Sequence, residues 1–277
     1  MSTRRTNRSL SMASGAVARI IADPLQDEAV ILLVGEAEQS HVHLADQRII
    51  FYEYLQRISH ALDARFPADA GGDLPALRVL HLGAGALTLP RSIGLRRPGS
   101  RQTVVDIERE LVDFVTGLVP LPTELQRGRD IVSVVDDARA YVEHLTVSAR
   151  DAEAGHGFDA VVLDIFTGRD SPGHLADPDF YRLLRKQLTP RGLLIVNVGD
   201  DEGMHFAREQ IRALRGAFAD VLATGATELF TGRYAGNIVA VASESPFEAQ
   251  ELERLSAAGP FPGTTLHGVE LDGFSRG

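Results

Sequence analysis

The sequence predicts an α/β domain: a largely parallel sheet with helices on both faces. Three observations point to it. Short, continuously apolar, β-branched runs recur along the chain, segments with helical spacing alternate with them, and Gly or Asp stands where each run ends. A chain of 277 residues with 44% hydrophobic content can bury a full core as one large domain, or one with a small appendage.

Taken in order, residues 1–15 are expected to form a flexible arm. They include Arg4, Arg5, Arg8 and several serines, without the apolar run that a secretory signal needs. Residues 16–46 read as a small N-terminal β-hairpin region, because apolar runs at 17–21 and 29–35 flank Asp23-Pro24. From 47 to 66 the residues Ile50, Tyr54, Leu55, Ile58 and Leu62 recur at helical spacing, and the segment PADAGGDLP at 67–75 ends the helix. The main domain, 47–245, then offers strands at 77–82, 102–107, 131–135, 158–163 and 192–198. Helices are expected near Pro90 and at 108–118, 138–145, 179–188 and 204–218, with tail strands at 221–223, 228–230 and 237–243. Residues 246–277 should supply a C-terminal helix of about ten residues and an irregular tail.

Composition excludes several classes of function. A formal charge of −10 argues against a nucleic-acid partner and suits a cationic small molecule. The absence of cysteine removes disulfides, thiol catalysis and Cys-ligated zinc, and is compatible with a reducing cytoplasm. No stretch approaches the roughly 18 apolar residues of a membrane span, so a soluble cytoplasmic chain without a membrane partner is expected. His41 and His43 could share one face of a strand, but no third ligand stands nearby, so they read as exposed strand histidines and no metal is expected. Arg96-Arg97 and the group Arg182, Arg185 and Lys186 read as solvated faces. Residues 168–178, GRDSPGHLADP, are rich in turn formers and read as a lid or a long surface loop.

In sheets of this kind ligands bind beyond the carboxyl ends of the strands. Four such ends carry polar chemistry. After the first come Gly83 and Gly85, whose missing side chains let backbone approach a ligand or a neighbouring element. The second ends in VVDIE, where Asp106 or Glu108 could accept hydrogen bonds from ribose hydroxyls or cap the following helix. The third ends in VVDDAR, where Asp136 or Asp137 could cap a helix or accept from the exocyclic amine of adenine. The fourth ends in VVLDIFTG, where Asp164 leaves a buried strand with no helix start behind it, so capping does not account for it. A dinucleotide-dependent dehydrogenase shares the spacing of about 20 residues from glycine turn to acid. However, Gly83-Ala84-Gly85-Ala86-Leu87-Thr88 lacks the third glycine, and no catalytic His or Tyr-Lys pair follows.

In this order and spacing, QSHV, HLGAG, VVDIE, VVDDAR, FDAVVLDIF and GNIVAVAS resemble the spermidine-synthase family of aminopropyltransferases, in its bacterial spermidine-synthase-like branch. The resemblance runs from Gln39 to Ser243, roughly three quarters of the chain. It implies an S-adenosylmethionine-dependent methyltransferase-like (Rossmann-like) fold behind a β-hairpin sub-domain, in a homodimer. It also implies transfer of an aminopropyl group from decarboxylated S-adenosylmethionine to an amine, with the donor as co-substrate and no tightly bound cofactor. By the same resemblance Gln39 would contact the nucleoside thioether, Gly83 and Gly85 would approach the nucleoside, Asp106 would hold the ribose, Asp137 the adenine amine, and Asp164 would be the catalytic acid-base residue.

Three departures stand out, the first at the donor's amino end and the other two in the acceptor half. Ala86 stands where the family has Asp, Thr167 where the catalytic loop has a second Asp, and Phe51-Tyr52 where Tyr-His precedes Glu53. Tyr52, Glu53 and Thr167 are thus the expected substrate-binding positions of an eroded polyamine site, where an unpaired ammonium would be costly. Two other readings stay open. Ala86 removes repulsion against a donor carboxylate, which favours an ordinary S-adenosylmethionine methyltransferase; a non-catalytic nucleoside-binding dimer is the third.

Overall fold

A computed structural model describes residues 8–126, 130–148, 157–165 and 173–277. Four antiparallel strands open the chain, β1 (Arg8–Ser11), β2 (Val17–Ala22), β3 (Ala29–Val34) and β4 (Ala37–His43), paired in sequence order. The expected hairpin is therefore a four-stranded sheet. Residues 8–11 pair with β2 instead of continuing the arm, because Met12 and Leu10 reach an apolar cluster with Ile20, Leu32 and Val42. β4 has no apolar alternation in AEQSHVH and reads as an exposed strand, yet Ser40, His41 and Val42 are buried. His41 is not an exposed strand histidine: its Nε2 lies 2.9 Å from Asp23 Oδ2, and that partner makes burial tolerable.

The second sheet has eight strands: β5 (Arg78–Leu82), β6 (Arg101–Asp106), β7 (Ile131–Val135), β8 (Phe158–Leu163), β9 (Leu188–Asp200), β10 (Asp220–Ala226), β11 (Gly236–Ser243) and β12 (Gly263–His267). Their spatial order is β12-β10-β11-β9-β8-β5-β6-β7. β7, β6, β5, β8 and β9 run parallel, while β11 is antiparallel to β9. The chain leaves β5 towards β6 and β7, then returns to β8 on its other side, so the topological switch lies at the end of β5. The order and pairing are those of an S-adenosylmethionine-dependent methyltransferase-like sheet.

Alternation along these strands divides the core in two. Leu80, Leu82, Val161, Leu163, Leu194 and Val196 face one layer. That layer holds α5 (Ala138–Ser148), α6 (Pro178–Arg185), α7 (His205–Arg215) and α9 (Gly268–Arg276). Val79, Ala160, Val162, Leu193 and Ile195 face the other, with α1 (Glu53–Arg65), α2 (Thr88–Arg96) and α8 (Ala249–Ala257). Each buried Val, Leu or Ile among them stabilises the fold by about 1.5–3 kcal/mol. Of the remaining helices, α3 (Arg109–Leu118) packs under the N-terminal sheet through Leu111 and Val115, and α4 (Thr123–Gln126) is a single turn. α6 begins where the sequence allows it, with Asp177 accepting from Phe180 N at 2.8 Å and Pro178 in the first turn.

Three further expectations differ. Residues 228–230 lie in a 3-10 turn, Thr227–Thr231, not a strand. The tail is ordered structure: β12 adds to β10, and Leu271 and Phe274 of α9 enter the core. Arg97 is buried, not solvated. Its guanidinium reaches Asp63 Oδ1 at 2.8 Å and the Phe66 carbonyl at 2.9 Å, and Arg96 takes the other oxygen of Asp63. Among the described residues no helix is long and apolar enough to cross a membrane.

Candidate nucleoside and amine site

The two glycines of the turn after β5 are needed for close approach between elements. Gly83 has φ +103°, and a Cβ there would sit 2.2 Å from the Asp164 carbonyl oxygen. Gly85 has φ +49°, and its Cβ would sit 2.4 Å from Ser40 Oγ. The turn is thereby pressed between the end of β8 and strand β4. Ala86 N donates to Ser40 Oγ at 3.0 Å, and Thr88 Oγ1 donates to the His41 carbonyl at 2.9 Å. These bonds bring the N-terminal sheet, and Gln39 with it, to the rim of the strand ends. Gln39 sits at a β-bulge, since Ser40 pairs with Leu32 while Glu38 pairs with Leu33, and a bulge re-aims the side chain it carries.

Asp106 ties the second strand to the same turn. Its Oδ2 accepts from Ala84 N at 2.9 Å and its Oδ1 from Glu108 N at 2.8 Å. The residue that caps α3 by position is Glu108, and it makes no side-chain cap bond. Burial pushes the Asp106 carboxyl up, against the pull of the two backbone amides. One oxygen of Glu108 is buried without a partner, and Ile107 between the two acids is 68% exposed. An apolar side chain so exposed at the strand ends is a feature the sequence reading did not single out.

At the third strand end the capping reading holds for one oxygen of Asp137, which accepts from Arg139 N and Ala140 N at 3.0 Å each. Its Oδ2 meets His174 Nε2 at 3.0 Å. Burial raises this carboxyl, but the α5 amides and His174 outweigh it and hold it below its ordinary value. Asp136 accepts from Asp137 N at 2.9 Å, and its own amide donates to the Asp106 carbonyl at 3.2 Å, joining the second and third ends.

Among the described residues Asp164 caps no helix. Its Oδ1 accepts from Asn197 Nδ2 at 2.8 Å and its Oδ2 from the Tyr54 hydroxyl at 3.4 Å. Burial raises its carboxyl, with these two bonds opposing. Asn197, 5% exposed, is the one polar residue in an apolar stretch of β9, and its Oδ1 has no partner among the described residues. Tyr54 had been read only as an apolar helical position. Its neighbour Tyr52 stacks on it, with centroids 6.2 Å apart and planes 18° apart, and donates to Glu38 Oε2 at 3.1 Å. Glu53 is brought near but engaged elsewhere, in an ion pair with buried Arg57 at 2.5 Å. Thr167 and residues 168–172 of the expected lid, Asp170 among them, lie outside the described residues.

Adjacent strands lie about 4.8 Å apart, so the ends of β7, β6, β5 and β8 span roughly 14 Å. That suits an extended adenosine with a chain at its sulfur. The floor has Asp137 and Asp106 at one end and Asp164 at the other, with the glycine turn between. Among the described residues no group of three side chains could hold a metal.

Comparison with known proteins bears on this arrangement. No protein-family profile matches the chain. A polyamine aminopropyltransferase of Neisseria meningitidis serogroup A is 23% identical over 179 residues, 64% of this chain. The match spans 60% of that relative's length. A probable spermidine synthase from Corynebacterium glutamicum superposes with a TM-score of 0.83 at 23% identity, covering 98% of this chain and 94% of that one. Human methyltransferase-like protein 13, solved in complex with SAH, superposes at 0.59 with 17% identity, covering 82% and 94%. The fold is thus one shared by spermidine synthases and methyltransferase-like proteins, and the resemblance seen in the motifs recurs among relatives of that name.

Proposed function

We propose that this chain is a spermidine-synthase-like aminopropyltransferase, moving the aminopropyl group of decarboxylated S-adenosylmethionine onto an amine. The observation that carries the reading is Asp164. It is a carboxylate at the switch point, held on both oxygens by side chains, in backbone contact with the glycine turn that Asp106 also grips. The Neisseria relative's name and the bound SAH of the human neighbour support a nucleoside-sulfonium donor.

In this assignment Asp106, with Glu108 beside it, accepts from the ribose hydroxyls through lone pairs left free by the backbone bonds. Ile107 covers one face of the adenine, Asp137 accepts from its amine with Asp136 supporting, and Gln39 lies against the thioether. Asp164 binds the acceptor as its ammonium and takes a proton. The freed lone pair attacks the aminopropyl carbon attached to sulfur. The carbon–sulfur bond breaks with its electrons passing to sulfur, and methylthioadenosine leaves. Desolvation that raises the Asp164 carboxyl also makes it the better base. Tyr52, Glu53 and Thr167 are proposed to border the amine. By the same resemblance the working unit is a homodimer with no tightly bound cofactor, and the absence of cysteine suits a reducing cytoplasm.

One observation favours ordinary S-adenosylmethionine and methyl transfer. Behind Ala86 lies Arg91, fully buried, whose bonds go to the Ala86, Val119 and Pro120 carbonyls and to Gln47. Its positive potential, with no acid at position 86, would welcome a donor carboxylate. Mass spectrometry of products, with each donor offered alongside putrescine and other amines, tests both. Aminopropylated amine with methylthioadenosine supports the first reading; methylated product with S-adenosylhomocysteine supports the second; nucleoside binding without either product leaves a non-catalytic dimer.

A further inference from the structure

The acceptor side of the cleft holds a second carboxylate that the motifs do not mark. Tyr54 and Tyr52 stand two residues apart where the chain enters α1, and their rings stack at 6.2 Å. Each hydroxyl donates to an acid, Tyr54 to Asp164 and Tyr52 to Glu38. The result is two tyrosine–carboxylate pairs joined by a ring stack, one pair at the end of β8 and the other on β4. Phe51, 47% exposed, extends the aromatic cluster: it lies 5.9 Å from Tyr52 and stacks on His41 with centroids 4.6 Å apart.

The other acids of this region are engaged. Glu53 is tied to Arg57, and Asp23 to His41. Glu38 is exposed, and among the described residues its hydrogen-bond partner is the neutral phenol of Tyr52, which leaves its charge to meet a cation. At the opposite end of the stack, Asn197 Oδ1 is a buried acceptor without a donor. Its amide cannot be turned around, because that would set oxygen against the Asp164 carboxylate. A buried acceptor left empty costs free energy, and an N–H supplied by a bound amine would satisfy it.

Resting on the aminopropyl-transfer reading above, we infer that Glu38, held by Tyr52, is the distal anchor of the acceptor site. The acceptor is then a dicationic amine. One nitrogen sits at Asp164 and Asn197 Oδ1, its methylenes lie against the stacked Tyr54 and Tyr52 rings, and its far ammonium sits at Glu38. Glu38 thus compensates for the uncharged Thr167 from a different strand and from the other sheet. Stacked aromatic faces suit such a ligand, since they attract both methylenes and ammonium groups.

The test compares paired substrates, an α,ω-diamine and the monoamine of equal length, for example 1,4-diaminobutane and butylamine. Two readouts are used: kcat/KM for transfer, and calorimetric affinity for protein saturated with methylthioadenosine. Wild type should prefer the diamine in both by about tenfold or more. Glu38→Gln keeps an acceptor for Tyr52 but removes the charge, and should cut that preference at least fivefold. Glu36→Gln, a neighbouring exposed acid paired with Arg19, should leave the preference in place. Equal use of diamine and monoamine by wild type, or a ratio unmoved in Glu38→Gln, overturns the anchor while leaving aminopropyl transfer standing. Diamine binding that depends on Glu38 without any transfer would keep the anchor and sink the transfer reading. Absence of both would sink both.

Discussion

Asp164→Asn separates the chemistry from the fold more cleanly than any other single change. Asn is nearly isosteric, so Asn197 Nδ2 still meets an oxygen, and the Tyr54 hydroxyl can turn from donor to acceptor. What disappears is the base. Loss of a positioned general base costs about 10²–10⁴-fold in rate, and with the decarboxylated donor turnover should fall by that much. Stability should move the other way. The Asp164 carboxyl is raised in the fold, so whatever it contributes is complete below the unfolded-state value and is lost as pH rises through the folded-state value. At pH 7 the wild type bears the cost of a desolvated charge that Asn does not carry. A rise in melting temperature is expected, each 1 kcal/mol gained amounting to roughly 2 °C in a domain of this size. On acidification, wild-type Asp164 protonates and the difference should close. Single-turnover mass spectrometry, nucleoside calorimetry and thermal melts at pH 5 and 7 check the three parts. Turnover within about threefold of wild type removes the catalytic role. A difference in melting temperature that widens at low pH refutes the desolvation reasoning.

Gly83→Ala should destabilise by about 3 kcal/mol or more, because a Cβ would meet the Asp164 carbonyl at 2.2 Å in a backbone conformation unfavourable to other residues; urea denaturation reads it. His174→Ala frees Asp137 Oδ2, so nucleoside affinity measured by calorimetry should rise by about 2–10-fold if that oxygen receives the adenine amine. Phe274→Ala removes a core side chain that meets Phe230 edge-on at 5.2 Å and lies under Arg208, and should cost about 3 kcal/mol in the same urea assay; an unchanged midpoint would return the tail to an irregular appendage.

Buried parallel strands were legible because both faces must be apolar: β8 runs over the residues its pattern marked, 158–163. Strands and side chains whose burial depends on a distant partner were not legible. β4 is polar in sequence, and its burial rests on Asp23 receiving His41 and on Ser40 receiving the Ala86 amide. Arg97 looks like a solvated charge until Asp63 from α1 faces it. Tyr54 fits a helical apolar stripe, and only the tertiary fold turns its hydroxyl to an acid 110 residues away in sequence. Asn197 did leave a trace, as the one polar side chain in an apolar run, because a buried amide needs a partner somewhere.

The strand-end acids were visible in the sequence, but capping and ligand binding could not be told apart. Both tasks ask for a short acceptor at the same place, where a strand gives way to a helix whose first amides lack partners. In the fold the two tasks share one side chain. Asp137 gives one oxygen to the α5 amides, and its other oxygen faces His174; Asp106 spends one lone pair of each oxygen on backbone. A carboxylate has about four acceptor sites, so such bonds leave capacity on the solvent side while fixing where it points. A ligand then meets groups whose ordering was completed on folding, and less of its binding free energy is lost to arranging them. For the same reason Asp106→Asn disturbs fold and nucleoside site together. Its amide nitrogen would face a donating N–H of Ala84 or Glu108, whichever way the side chain turns. Asp164, whose partners are side chains able to reorient, escapes that coupling.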